Sequence, residues 1–440
     1  MNCMAVSSFY VKANREVPCW CSPGEHHPIT TLPEPGSAAA ASFDVVRDVL
    51  NGRAFRHMRQ QLHAGELPFG YCRGCSFLRD DGEAGFARVN TTDWTLRSLD
   101  TLQVESSYLC NVDCPLCVRL PVRKQSKDPP WQLDLGLFKQ VVDDLAAHDI
   151  AVREVWFSGR GEPLMNPDFA AMVRHAKQVL GARVTAHTNG NFGFRDELAT
   201  CGLDEIEIAF DGVDQETYAR YRRGGRLERV ERFAADFAAA RARHGLKTPE
   251  LVWKMVLFEW NSSDDELSRA VDRAHELGLD RVLLMNTDTP GGISYRDGGA
   301  RLEQITPLAA ELDARHPGLK VEVHGYHSHY TALPEVEAAL RLESREPGRT
   351  VVMGRLFNHL LEERPVRVEL RLQDEGGGPD HRLVDVEVAL PERSELVESF
   401  GVPLDGLAAG QYRVWVSVSD PGTGALLSEA ACDFGVEAPS

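Results

Sequence analysis

From about residue 98 to residue 290 the chain alternates short apolar runs with segments of helical period, and no other feature restricts its fold as strongly. Six runs have strand character, at about 101–106, 152–158, 182–188, 204–210, 251–259 and 280–286. Between them, stretches such as 138–145 repeat apolar residues every three or four positions. Strands that are each followed by a helix pair in parallel, through right-handed crossovers that return the chain to the same end of the sheet. The expectation is an α/β domain, a partial (β/α)6 barrel over 98–290, with its chemistry at the C-terminal strand ends.

At the first such end Cys110, Cys114 and Cys117 place three thiols within eight residues. Thiolates are soft ligands for zinc or for iron–sulfur clusters, and a structural zinc site normally closes with four protein ligands. No fourth cysteine or histidine lies near these three. A four-iron cluster on three thiolates keeps one iron open to a small molecule, which is a reactive position. The C-x3-C-x2-C spacing, with Asn111 after the first cysteine and Pro115-Leu116 before the third, resembles the cluster loop of the radical S-adenosylmethionine superfamily. Leu116 departs from it, standing where many members carry an aromatic residue.

Three later turns add to the resemblance. After the second strand, Gly159-Arg160-Gly161-Glu162-Pro163 is similar to the superfamily's G-G-E-P motif, with Arg160 in place of the first motif glycine. Gly159 and Gly161 admit close backbone approach, and Glu162 can accept bonds from the cofactor's ammonium. The third strand ends in Thr188-Asn189-Gly190, polar groups suited to ribose hydroxyls or the methionine carboxylate. The fourth leads to Asp211-Gly212 and then to Arg222, favoured over Arg223 as the planar fork that pairs with that carboxylate. The resemblance implies a [4Fe–4S] cluster on Cys110, Cys114 and Cys117 that binds S-adenosyl-L-methionine at its open iron. It further implies an external one-electron reductant such as flavodoxin or ferredoxin, and a 5′-deoxyadenosyl radical that abstracts a substrate hydrogen atom.

Residues 1–80 carry Cys3, Cys19, Cys21, Cys72 and Cys75 around two helix-period stretches, at 43–51 and 54–62. The segment resembles a SPASM-type auxiliary iron–sulfur module, with Asn14 where that module has a glycine in a left-handed turn. Such modules usually follow the catalytic domain, whereas here the cysteines precede it. The resemblance assigns Cys3, Cys19, Cys72 and Cys75 to a second [4Fe–4S] cluster, with Cys21 the rival of Cys19. A four-thiolate zinc ribbon satisfies the same residues.

Residues 79–89 read as a linker, 291–360 as an α/β extension of the barrel, and 361–440 as an antiparallel β-sandwich built on the alternating runs 366–372, 383–390 and 412–419. The stretch 407–418 is similar to glycan-binding sandwiches of polysaccharide exporters, and a packing or dimerisation role fits it equally. Lys254, Glu259 and Asn261 fall near the barrel mouth, as substrate contacts or as hydrogen-bonded core polars. His327 and His329 suit a surface or substrate-contact loop better than a metal site.

With 66 acidic against 48 basic residues, the net charge of −18 argues against nucleic acid as a partner. No secretory signal or membrane-length apolar run is seen, and eight of the ten cysteines crowd into the first 120 residues, so a cytoplasmic chain with reduced thiols is expected. The functional expectation is a radical SAM oxidoreductase of natural product or glycan biosynthesis, which oxidises or rearranges a carbohydrate-like or aminocyclitol small molecule. A maturase of ribosomally made peptides is the alternative, and a zinc-stabilised glycan-binding protein without catalysis is the rival from another class. Cys201, ahead of the fourth strand, is at the wrong rim for a hydrogen-donating thiol.

Overall fold

The computed structural model describes residues 3–19, 28–69, 72, 78, 86–115, 117, 131–287, 300–324, 336–346, 349–358, 363–374, 381–390, 395–403 and 407–436. They divide into two compact units, one within the first 331 residues and one from residue 332 onward.

The first unit is built on a parallel sheet of eight strands in sequence order. They are β1 (Ser8–Val11), β2 (Ser98–Val104), β3 (Ala151–Phe157), β4 (Arg183–Thr188), β5 (Glu205–Ala209), β6 (Glu250–Val256), β7 (Arg281–Met285) and β8 (Lys320–His324). The six expected strands are β2 to β7. The expected count of six is corrected to eight by one further strand at each edge: β1 pairs with β2, and β8 pairs with β7. Both are short, and β1 lies inside the N-terminal cysteine segment, so neither produces a long periodic signal. The left-handed backbone expected at Asn14 is at Arg15 instead, with φ of 71°. Asn14 Oδ1 accepts from the Glu16 amide at 3.3 Å and from the Tyr108 hydroxyl at 3.4 Å.

Helices α1 (Arg53–His63), α2 (Leu135–Ala147), α3 (Phe169–Leu180), α4 (Gln215–Tyr221), α5 (Leu227–Arg243), α6 (Asp264–Glu276) and α7 (Ala300–Arg315) follow in chain order. Asp134 caps α2 by accepting from the Leu137 amide at 2.9 Å, and Ser263 caps α6 through the Glu266 amide at 3.2 Å. The apolar stripe of α5, with Val230, Phe233 and Phe237, is buried in a core shared with Ile206 and Ile208 of β5. Phe55 of α1 meets Phe9 of β1 edge to face at 6.1 Å. No helix among the described residues is long and apolar enough to cross a membrane.

The second unit has two antiparallel sheets. Strands β9 (Val336–Glu346), β10 (Arg349–Asn358) and β13 (Glu395–Pro403) form one, in the order β9-β10-β13. Strands β11 (Arg364–Asp374), β12 (His381–Leu390), β14 (Gly410–Ser419) and β15 (Leu426–Val436) form the other, in the order β12-β11-β14-β15. Val352 and Val402 share a core with Val366, Val414 and Val418, all fully buried. The sandwich thus takes in two strands that precede residue 361.

Period-two alternation sends Ile206 and Ile208 to the helix side of the sheet and Glu205 and Glu207 to the other. At the N-terminal strand ends that other face carries an ion-pair network. Arg281 reaches Glu205 at 2.6 Å, Glu322 at 2.9 Å and Glu250 at 3.2 Å, and Arg183 reaches Glu205 at 2.7 Å. Burial pushes the Glu205 carboxyl up to about 7, against the pull of Arg281. Arg281→Met is expected to cost about 3 kcal/mol at pH 8, because it takes the nearest partner from the buried Glu205 carboxylate. A group with a raised folded pKa loses stability as pH rises through that pKa, so the deficit should shrink at pH 6, where Glu205 takes up a proton. Urea unfolding at the two pH values measures both effects.

Candidate active site

Strand β2 ends at Val104, and the chain then turns through buried Glu105, Ser106 and Ser107 into the three-cysteine loop. Backbone bonds pin this loop on several sides. The Tyr108 amide donates to the Trp131 carbonyl at 2.7 Å, the Asp113 amide to the Arg223 carbonyl at 2.8 Å, and the Cys117 amide to the Cys114 carbonyl at 3.0 Å. Asn111 Nδ2 donates to the Asn191 carbonyl at 2.8 Å. Cys114 is buried, and desolvation pushes its thiol up to about 12 although Arg222 pulls the other way.

Among the described residues no three thiols, imidazoles or carboxylates converge on a point where one metal ion could sit. A zinc site needs that convergence, with each ligand atom about 2–2.3 Å from the ion. A cubane does not, because its three thiolates bind three separate iron corners.

The turn after β3 is packed against the cysteine loop. The Ser158 amide donates to the Val104 carbonyl at 3.1 Å, and the Glu162 amide to the Leu109 carbonyl at 2.8 Å. A Cβ on Gly161 would lie 1.7 Å from the Ser107 carbonyl oxygen, and one on Gly159 would lie 2.5 Å from Glu105 Oε1. That same Glu105 oxygen accepts the Arg160 amide, so a buried carboxylate holds the turn in place of a motif glycine.

Glu162 is buried and gathers the next turn. Its Oε1 accepts from Thr188 Oγ1 at 2.8 Å and from the Leu164 amide at 3.1 Å, and its Oε2 from the Asn189 amide at 2.7 Å. Burial nevertheless pushes its carboxyl up to about 7. Asn189 Nδ2 donates to Asn111 Oδ1 at 2.8 Å and lies 3.5 Å from Cys110 Sγ. Asp211, fully buried, accepts the Val256 amide at 2.7 Å on one oxygen and Arg222 Nε at 2.5 Å on the other. Arg222 Nη1 then lies 3.5 Å from Cys114 Sγ, with the guanidinium over the Tyr221 ring, whereas Arg223 is exposed.

One cavity of about 340 Å³ is lined by Cys110, Cys114 and Cys117 together with Gly159, Gly161 and Glu162. Thr188, Asn189 and Arg222 also line it, and Asp211 stands behind Arg222. Its sheet wall is formed by Tyr10, Gln103, Trp156, His187, Glu207 and Lys254, one residue from each of β1 to β6. The sequence reading had named only Lys254 of these. Glu105 and Asn191 were missed as well, and Asn111 was read only as a neighbour of the first cysteine; for the strand residues the available signal was polar or aromatic positions spaced two apart within apolar runs. Of the other two mouth residues, Glu259 is exposed, and Asn261 is a core cap whose Nδ2 donates to the Asp211 and Val256 carbonyls at 3.1 and 2.9 Å.

Cys3, Cys19 and Cys72 are partly buried. Cys75, Cys21, His327 and His329 lie outside the described residues. Cys201 is buried in the main core, with its Sγ 3.4 Å from the Leu198 carbonyl, and does not line the cavity.

Three thiols, a buried Glu and a buried Asp–Arg pair thus stand at the C-terminal strand ends of a parallel α/β sheet, the end at which such folds carry their binding sites. Residues 104–297 match the family model described as Radical SAM superfamily. Over 192 residues the chain is 31% identical to the GTP 3',8-cyclase of Chlorobaculum tepidum, covering 42% of this chain and 54% of that protein. Over 219 residues it is 31% identical to the PqqA peptide cyclase of Streptomyces rochei, covering 48% and 55%. The chain therefore spans little more than half the length of these relatives. A solved structure of anSMEcpe with bound AdoMet aligns over 51% of this chain and 63% of that one, at 14% identity and a TM-score of 0.38. Residues 104–297 are thus a radical SAM domain, and such a domain implies a [4Fe–4S] cluster and S-adenosylmethionine.

Gly161→Ala drives a Cβ into the Ser107 carbonyl and is expected to cost roughly 2 kcal/mol and to lower iron uptake on anaerobic reconstitution. Gly193→Ala, whose added Cβ meets nothing within 4 Å, should change neither thermal unfolding nor iron content.

Proposed function

We propose that this chain is a radical SAM oxidoreductase that oxidises or rearranges a compact, hydroxyl-rich substrate of carbohydrate or aminocyclitol type. The observation that carries the reading is the sheet wall of the cavity, where Gln103, His187, Glu207 and Lys254 stand beside the rings of Tyr10 and Trp156. Convergent donors and acceptors next to aromatic faces suit a polyhydroxylated ring better than an extended apolar ligand.

The residues fit the implied cofactors. Cys110, Cys114 and Cys117 line one cavity and would hold the cluster, while Gly159 and Gly161, which line it too, let their turn pack directly against Glu105 and the Ser107 carbonyl. Glu162, already positioned by Thr188 and Asn189, would take the ammonium of S-adenosylmethionine. Arg222, with Nε committed to Asp211, would turn its outer edge to the carboxylate. Given one electron from an external reductant, the bound cluster and S-adenosylmethionine would supply methionine and a 5′-deoxyadenosyl radical able to take a hydrogen atom from an unactivated carbon. The protein's part is to hold that carbon close and keep competing hydrogen donors away. Cys3, Cys19, Cys72 and Cys75 remain the candidate thiolates for an auxiliary cluster, and a flavodoxin- or ferredoxin-like protein the candidate reductant. A second reading, modification of a ribosomally made peptide, draws on the likeness to the PqqA peptide cyclase.

Anaerobic reconstitution should give about four irons per chain for one cubane, about eight if the N-terminal thiols hold another, and reductant-dependent 5′-deoxyadenosine. A colourless protein that binds only zinc would sink the proposal. Replacing Cys110, Cys114 and Cys117 together with Ala should abolish deoxyadenosine formation; its persistence would refute the assigned loop.

Glu162 must be ionised to receive an ammonium, and its carboxyl stands at about 7. Affinity for S-adenosylmethionine should therefore rise roughly eightfold from about pH 5.5 to 6.5, below the range where the ligand's own amine titrates. Equilibrium dialysis should show this rise in the wild type and a flat profile in Glu162→Gln.

A further inference from the structure

The cavity wall beneath the three-cysteine loop holds an ion-pair cluster that the cofactor does not account for. His187, Glu207 and Lys254 come from the adjacent strands β4, β5 and β6. Lys254 Nζ lies 2.6 Å from Glu207 Oε2 and 3.4 Å from His187 Nδ1, and His187 Nε2 lies 3.1 Å from the same Glu207 oxygen. Trp156 of β3 packs on the His187 ring with centroids 5.5 Å apart. All four residues line the cavity that the three cysteines line.

Structural need does not explain the cluster. The lower end of the same face already has its own network, in which Arg183 and Arg281 pair Glu205, Glu250 and Glu322. A buried ion cluster is also a poor stabiliser, because each charge gives up its hydration, and barrel interiors are ordinarily filled by branched apolar side chains. Lys254 uses two of its three donors within the cluster, and among the described residues Glu207 Oε1 has no partner. A carboxylate oxygen and an ammonium proton thus stand side by side at the cavity wall.

We propose that the Glu207–Lys254 pair, steadied by His187, is the anchor that selects the substrate: it reads a vicinal diol or 1,2-amino alcohol on a compact ring and rejects phosphate. This deepens the proposed function and rests on its reading of the cavity. A hydroxyl can accept from Lys254 while its neighbour donates to Glu207, and the ring can lie along Trp156. A phosphate offers acceptors only. Its attraction to Lys254 is offset by Glu207 beside it, and like charges held close in a desolvated site are a strong repulsive element. Charge balance on this wall would then separate this chain from relatives whose names specify GTP.

The test uses anaerobically reconstituted holoprotein with d-glucosamine and GTP as probes, each followed by equilibrium dialysis. Glucosamine should bind at least about tenfold more tightly than GTP, the worth of one hydrogen bond to a charged group. The isosteric Glu207→Gln should weaken glucosamine by about the same factor and strengthen GTP. The double variant Glu207→Gln/Lys254→Met removes both charges, so it should unfold at or above the wild-type temperature and lose the preference between probes. A structural cluster predicts the reverse, a less stable double variant with the probe order kept. The anchor is overturned by that result, by GTP binding as tightly as glucosamine, or by no glucosamine binding at about 10 mM. Iron content and deoxyadenosine formation separate the two claims. Their absence defeats the proposed function, whereas their presence with an unaltered probe order defeats the anchor alone.

Discussion

Each strand of a parallel sheet sends alternate side chains to opposite faces, and a shift of one residue exchanges the two sets completely. In this molecule one face must meet helices, so Ile206 and Ile208, like Val184 and Val282, are committed to a dry core. The residues between them have no choice but the other face. Register therefore decides at once what packs under the helices and which polar groups meet inside the sheet. The register pairs that bring Thr185 opposite Glu205 and His187 opposite Glu207 are as much a part of the site as the loops are.

The loops above that face are held by buried carboxylates more than by apolar contacts. Glu105 holds the Arg160 amide, Glu162 ties the turns after β3 and β4 together, and Asp211 joins β6 to Arg222. A buried carboxylate is costly unless each oxygen is satisfied, so such a node tolerates few alternative loop positions. That rigidity places Asn189 and Arg222 each within 3.5 Å of a cluster-loop sulfur. Directional bonds of this kind fix angles as well as distances, which a hydrophobic contact would leave loose.

The parts of this arrangement legible in the sequence are those with a long period or an unusual residue density. Strands β2 to β7 announce themselves because helices separate most of them, and Cys110, Cys114 and Cys117 because thiols are rare. Arg222 could be preferred to Arg223 only by analogy; the reason is visible once Asp211 is seen to engage Nε. Strand β1 was hidden by its four-residue length and by the cysteines around it. Glu105 was hidden because its partner is a backbone amide 55 residues away. The left-handed residue fell one place from Asn14 because the Asn side chain is engaged with Tyr108 and Glu16, leaving Arg15 to take the turn.

The two ion clusters on the open face of the sheet show how one alternation pattern can serve different ends. At the N-terminal ends Arg281 alone meets three carboxylates and Arg183 shares two of them, so cations bind the edges of five strands together. Two to four residues further along these strands the balance changes. Glu207 has one lysine and one histidine, both drawn to a single oxygen, and the wall opens onto the cavity. Burial alone would raise the Glu207 carboxyl, yet His187 and Lys254 hold it well below the usual carboxylate range. The charge is thus kept at a place where apolar packing would cost less. A fold that already has a complete network one layer below gains little from a second, so the upper layer is best understood by what it faces.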